Sequence, residues 1–173
     1  HEIAELSQVI QIFVRDAEAL LEVMKDMKPA LKKHHVVCCH STVSAESVKK
    51  AAALAAEMGA GFLDAPFTGS KVAAEKGELV YYIGGQEREL EKAKPVLEAS
   101  SKKILSFGPN VGDATVLKIA TNLVSGAIVG ALNTQPVLLD FGIASVRASL
   151  GLSVLVAFLL GVLVGGTILA IAV

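Results

Sequence analysis

Apolar and polar positions alternate with two different periods along the first two thirds of the chain. Ser7 to Val14 (SQVIQIFV) is a short run rich in β-branched residues and reads as a buried strand. Asp16 to Lys32 then carries Leu20, Leu21, Met24, Met27 and Leu31 at helical spacing, with Pro29 placed to stop or tighten the last turn. Val36 to His40 is a continuous apolar run of strand length. Ser44 to Gly59 is a strong helix pattern, with Ser44 as N-cap, Ser47 as its polar third position and Gly59 closing it. Gly61 to Ala65 is a third strand. Leu79 to Gly84, Glu87 to Ser100 and Lys103 to Phe107 follow as strand, helix and strand. The turn Gly108 to Gly112 then feeds a helix from about Asp113.

Strand, helix, strand, helix, strand at this spacing predicts parallel βαβ units and hence half of a doubly wound sheet. The expected class is α/β: a partial Rossmann-type parallel sheet, an added strand pair with a helix, a long helix, and a C-terminal transmembrane helix. The last expectation rests on Ala148 to Val173, a run without Asp, Glu, Lys or Arg. Its 26 residues span roughly 39 Å as a helix, enough to cross a hydrocarbon core of about 30 Å. Gly161 and Gly165 have the spacing of close helix packing, and Arg147 before the run favours a cytoplasmic N-terminus. A buried helix of a soluble domain is the alternative.

Charge and cysteine content narrow the function classes. The chain has 16 basic and 17 acidic residues, a formal charge of −1, which gives no footprint for nucleic acid or other polyanions. Cys38 and Cys39 are adjacent in a strand, point to opposite faces and make no disulfide framework; they read as small buried residues of a reducing compartment. No metal-ligand spacing is present. The chain opens on His1-Glu2-Ile3-Ala4-Glu5 without Met and without an apolar targeting run, as a fragment or trimmed start would.

Three segments can carry chemistry. Asp64-Ala65-Pro66-Phe67-Thr68-Gly69-Ser70 lies just past a strand, where open α/β sheets bind ligands; Thr68 and Gly69 offer donors to a carboxylate, unless the loop is only a turn. Lys118 and Asn122 stand one helical turn apart, on one face. Val116, Leu117, Ile119 and Ala120 around the lysine are apolar, and burial would lower its pKa toward use in proton transfer; the plain alternative is a lysine reaching out to solvent. His40-Ser41-Thr42-Val43-Ser44 offers hydroxyls that cap the following helix or bond a cofactor, with His40 structural or catalytic.

The order and spacing of these three segments resemble the β-hydroxyacid dehydrogenases, the family of 3-hydroxyisobutyrate dehydrogenase and glyoxylate/succinic semialdehyde reductase. The matching elements are Ser41-Thr42, then Asp64-Ala65-Pro66-Phe67-Thr68-Gly69, then Gly112 leading through Lys118 to Asn122, and the likeness covers about Ala4 to Gly126. The resemblance implies an NAD- or NADP-dependent oxidoreductase acting on a small carboxylate-bearing aldehyde or hydroxy acid. It implies that Lys118 is the general acid, that Thr68 and Gly69 hold the substrate carboxylate, that Asn122 orients the substrate, and that Thr42 lies near the nicotinamide ribose. It further implies a cytoplasmic catalytic part and leaves a homo-oligomer open.

Departures from the family pattern set further expectations. Ala114 stands where a second Gly is usual, and Ala45 where a Pro often follows. No strand, Gly-x-Gly-x-x-Gly turn and helix precede Ser7, and Gly59-Ala60-Gly61 does not replace them because it leaves a helix and enters a strand. Cofactor binding by this segment alone is therefore doubtful, and the segment is expected to be inactive. The expected division is residues 1–112 as a partial dinucleotide-binding domain, 113–132 as the start of an interdomain helix, and 133–173 as an unrelated tail. Asn133 to Phe141 and the apolar run behind it are similar to lipopolysaccharide assembly protein A-type membrane segments. Two other readings thus stand beside the enzyme: a membrane-anchored non-catalytic protein, and a chimera of two unrelated genes.

Overall fold

The computed structural model describes residues 2–140, 142–157 and 159–160. After a short helix α1 (Glu2–Leu6), the chain forms β1 (Val9–Ile12), α2 (Ala17–Met27), β2 (Val36–Cys39), α3 (Ala45–Ala56) and β3 (Gly61–Asp64). The three strands are parallel in the order β1-β2-β3, with Val36 level with both Val9 and Gly61. Mixed α/β architecture with a parallel sheet is as the periodicity predicts.

The local chemistry explains each boundary. Asp16 accepts from the Ala19 N–H and caps α2; Ser44 accepts from the Ser47 N–H and caps α3. The predicted helix through Lys32 ends earlier, at Met27, and a 3-10 turn takes Lys28–Ala30. Pro29 sits in the first turn of that tighter helix, where its missing N–H costs nothing.

The four apolar residues of β2 have no polar face because both faces of the strand are covered. Val37 and Cys39 pack with Leu20, Met24, Val48 and Ala51 under α2 and α3. Val36 and Cys38 join Leu63, Tyr81, Leu90 and Leu97 on the opposite face. That second core is closed by β4 (Phe67–Thr68), α4 (Lys71–Glu75), β5 (Leu79–Ile83), α5 (Glu87–Glu98) and β6 (Ser101–Ser106). Here β5 lies between antiparallel β4 and parallel β6, and the ladder starts two residues before the predicted Lys103. A single antiparallel bridge, Asp64 to Gly84, links β3 to the end of β5.

The long helix α6 (Asp113–Leu132) follows, and the chain divides into compact units 1–119 and 120–173. In the second unit, β7 (Pro136–Asp140) pairs antiparallel with β8 (Ser145–Ser149), with Leu138 opposite Arg147. This corrects the expected start of the C-terminal helix at Ala148: Ala148 and Ser149 are strand, because Ala148 is paired with Val137. Helix resumes at Leu150. Residues 161–173, half of the predicted transmembrane helix, lie outside the described residues. Among the described residues, the helix long and apolar enough to cross a membrane is α6, by length and composition only.

Candidate active site

The strand β4 and the first turns of α6 supply the central pair. The chain after β3 turns at Pro66 into β4 and presents Thr68, exposed, as the last residue of that strand. From α6, the Lys118 ammonium donates to the Thr68 hydroxyl at 2.6 Å. The lysine is only 7% exposed, although its neighbours Val116 and Ile119 face outward. Burial holds its amine below the usual lysine range. The Tyr82 ring lies 5.9 Å from Nζ and is itself stacked on Phe107 at 5.8 Å between centroids, so an aromatic wall flanks the ammonium. A desolvated primary amine bonded to an exposed hydroxyl at a strand end can deliver a proton to an oxygen placed beside that hydroxyl.

The start of α6 is fixed from a distance. Asp64, the last residue of β3, is fully buried and accepts from the Gly112 N–H at 3.0 Å, the Thr115 N–H at 2.8 Å and the Thr115 hydroxyl at 2.6 Å. Those backbone N–H groups stand at the entrance and in the first turn of the helix, where nothing within the helix accepts from them. Burial raises the Asp64 carboxyl above its ordinary value, while the three donors pull it back.

The segment after β2 divides its hydroxyls among different tasks. Ser41 accepts from the Val14 N–H at 2.7 Å and so ties the ends of β1 and β2; Ser44 caps α3. Thr42 remains exposed at the carboxyl edge of the sheet. Phe13, at the end of β1, is also exposed and stacks on His40 with centroids 4.5 Å apart.

His40 is structural. Its Nδ1 donates to the Ala65 carbonyl at 2.7 Å, its Nε2 faces the Gln11 amide at 3.1 Å, and Phe13 and Tyr81 cover the ring. Desolvation lowers its pKa to about 4. A folded value below the unfolded 6.5 means that acid favours the unfolded chain. Stability contributed by neutral His40 is present above about pH 6.5 and is lost as pH falls toward 4. The loss is at most about 3 kcal/mol. Urea midpoints at pH 7 and pH 4.5 should fall less in His40→Asn than in the wild type, because the amide cannot take up the proton.

A family profile described as the NAD binding domain of 6-phosphogluconate dehydrogenase matches residues 1–108. The chain belongs to this NAD-binding family. The 2-hydroxy-3-oxopropionate reductase of Escherichia coli K12 is 32% identical over 139 residues, 79% of this chain and 46% of the reductase. The 2-(hydroxymethyl)glutarate dehydrogenase of Eubacterium barkeri is 37% identical over 103 residues, 60% of this chain and 34% of its own length. Among solved structures, the 3-hydroxyisobutyrate dehydrogenase of Mycobacterium tuberculosis with L-serine superposes with a TM-score of 0.71 at 28% identity, over 75% of this chain and 45% of that one. These relatives bear out the resemblance to 3-hydroxyisobutyrate dehydrogenase-type proteins, and the chain spans less than half the length of each.

Within the first unit, the structure brings Thr68 and Lys118 together and sets Gly69 beside Thr68. Gly69 has φ of +143°, and a Cβ there would lie 2.6 Å from Leu79 Cδ2. Thr42 lies after β2, on another loop of the first unit. Asn122, one turn past Lys118 on α6, falls in the second unit and lines an apolar groove of about 470 Å³ with Leu123, Gly126, Val154 and Leu155. Sequence reasoning passed over Tyr82, Thr115 and the side chain of Asp64. An aspartate closing an otherwise apolar strand was the available signal, since a carboxylate is buried only with partners.

Proposed function

We propose that residues 1–112 are the cofactor-binding part, and the helix from 113 the proton-delivering part, of an NAD(P)-dependent oxidoreductase of the β-hydroxyacid dehydrogenase type. The substrate is a small carboxylate-bearing aldehyde or its 3-hydroxy acid. The observation that carries the reading is the buried Lys118 ammonium on the Thr68 hydroxyl. The residues at the carboxyl edge of β1 and β2 fit a nicotinamide ribose: an exposed ring at Phe13 and an exposed hydroxyl at Thr42.

A nicotinamide bound at that edge would supply the hydride for the carbonyl carbon. Lys118 then gives its proton to the carbonyl oxygen and takes it back in the oxidative direction. Thr68 and the Gly69 backbone hold the carboxylate, and Asn122 orients the substrate. As hydride adds to the carbon, negative charge builds on the oxygen, and the ammonium stabilises that charge before its proton is transferred.

The test is oxidation of NADPH and of NADH with succinic semialdehyde, by residues 1–173 and by the same residues joined behind a strand, Gly-x-Gly-x-x-Gly turn and helix. Residues 1–173 alone are expected to be inactive, and the joined protein to show turnover that disappears in Lys118→Ala. Equal rates in the joined protein and its Lys118→Ala variant, with cofactor bound in both, would overturn the assignment of Lys118.

A further inference from the structure

We infer that Asp64 and Thr115 are positioning residues for Lys118, a second rung that fixes how deep the lysine stands beside Thr68. The two rungs are close in sequence on both sides. Asp64 precedes Thr68 by four residues at the root of the same loop, and Thr115 precedes Lys118 by three, on the same face of α6. Asp64 binds Thr115 through hydroxyl and backbone, and Lys118 binds Thr68. The loop and the helix are thus joined twice, by bonds that span 50 and 51 residues of sequence.

The design differs from an ordinary helix cap. A local serine, as at Ser44 on α3, stabilises its own helix but does not say where that helix lies. A carboxylate on β3 stabilises α6 only while the helix sits against the end of the sheet. Asp64 is placed to do this because its own N–H and C=O exchange bonds with Gly84 at 2.9 and 2.8 Å, which fixes it between β3 and β5. Thr115 and Asp64 are both fully buried, so water cannot replace either partner without opening the joint.

Lys118 itself reports the state of this joint, since the amine sits below its ordinary range through burial. If the first turn of α6 loosens, the amine hydrates and its titration moves up. Thr115→Val removes the hydroxyl rung with little change of volume, and Thr115→Ser keeps it. Lys118 is followed by NMR in lysine-labelled full chain, with its signal assigned by Lys118→Arg. Thr115→Val should raise the titration midpoint by about half a pH unit or more. Thr115→Ser should match the wild type. Asp64→Asn keeps the shape and serves if Thr115→Val does not fold; it should raise the midpoint in the same direction. A folded Thr115→Val, or in its place a folded Asp64→Asn, with a wild-type midpoint would overturn the inference, as would equal shifts in the valine and serine variants. The inference rests on the proposed role of Lys118 only for its catalytic meaning. The titration needs no turnover, so its failure and the failure of the enzyme reading are seen separately.

Discussion

In a protein that joins these residues to a Gly-x-Gly-x-x-Gly cofactor turn, Lys118→Ala is expected to lower kcat for carbonyl reduction by about a thousandfold, with the KM for the cofactor nearly unchanged. General acid catalysis by a placed side chain accounts for a factor of this order, and no other amine is hydrogen-bonded to Thr68 among the described residues. The split between kcat and KM follows from position: Lys118 is on α6, whereas Phe13 and Thr42 lie after β1 and β2. The pH profile adds a second check. Reduction needs the ammonium, so the rate falls as pH rises through the lysine's pKa, which burial holds below the ordinary 10.5. Lys118→Arg should retain charge, lose most activity and lack that alkaline fall, because guanidinium does not titrate there. Steady-state rates from pH 6 to 10 on the three proteins decide the point.

Gly84→Ala is expected to destabilise the first unit by about 2–3 kcal/mol and to displace the first turn of α6. A Cβ at Gly84 would lie 2.7 Å from the Asn110 carbonyl oxygen and 3.3 Å from the Ala114 N. Both atoms are backbone of the turn that enters α6, so neither can swing aside as a side chain would. The contrast is Gly61, where the three atoms nearest an added Cβ all belong to the Glu89 side chain. That carboxylate bonds Arg88 and Lys92 and can turn away at smaller cost. Urea midpoints should therefore rank wild type, Gly61→Ala, then Gly84→Ala. Equal midpoints for the two variants would mean that the Gly108 to Gly112 turn yields freely.

The sheet was legible wherever burial is two-sided or a cap is local. The run Val36 to Cys39, and Asp16 and Ser44 as caps, mark their elements without any partner being known. The fold of the second unit was not legible: Ala148 and Ser149 open an uncharged run, yet pairing with Val137 and Pro136 makes them strand. Residues near Lys118 were found by their order along the chain. The reason for their arrangement was hidden because Asp64 meets its donors 48 and 51 residues later. His40 likewise keeps two readings in the sequence, and only the Ala65 carbonyl against its Nδ1 selects the structural one.

The adjacent cysteines of β2 make the sheet its own reporter. Cys39 belongs to the core under α2 and α3, and Cys38 to the core under α5. Burial pushes their thiols up to about 11 and about 12, so neither reacts while covered. A thiol reagent therefore labels Cys39 only when one helical layer lifts and Cys38 only when the other does. Single-cysteine variants would time the two openings separately, with the same strand as the clock for both faces.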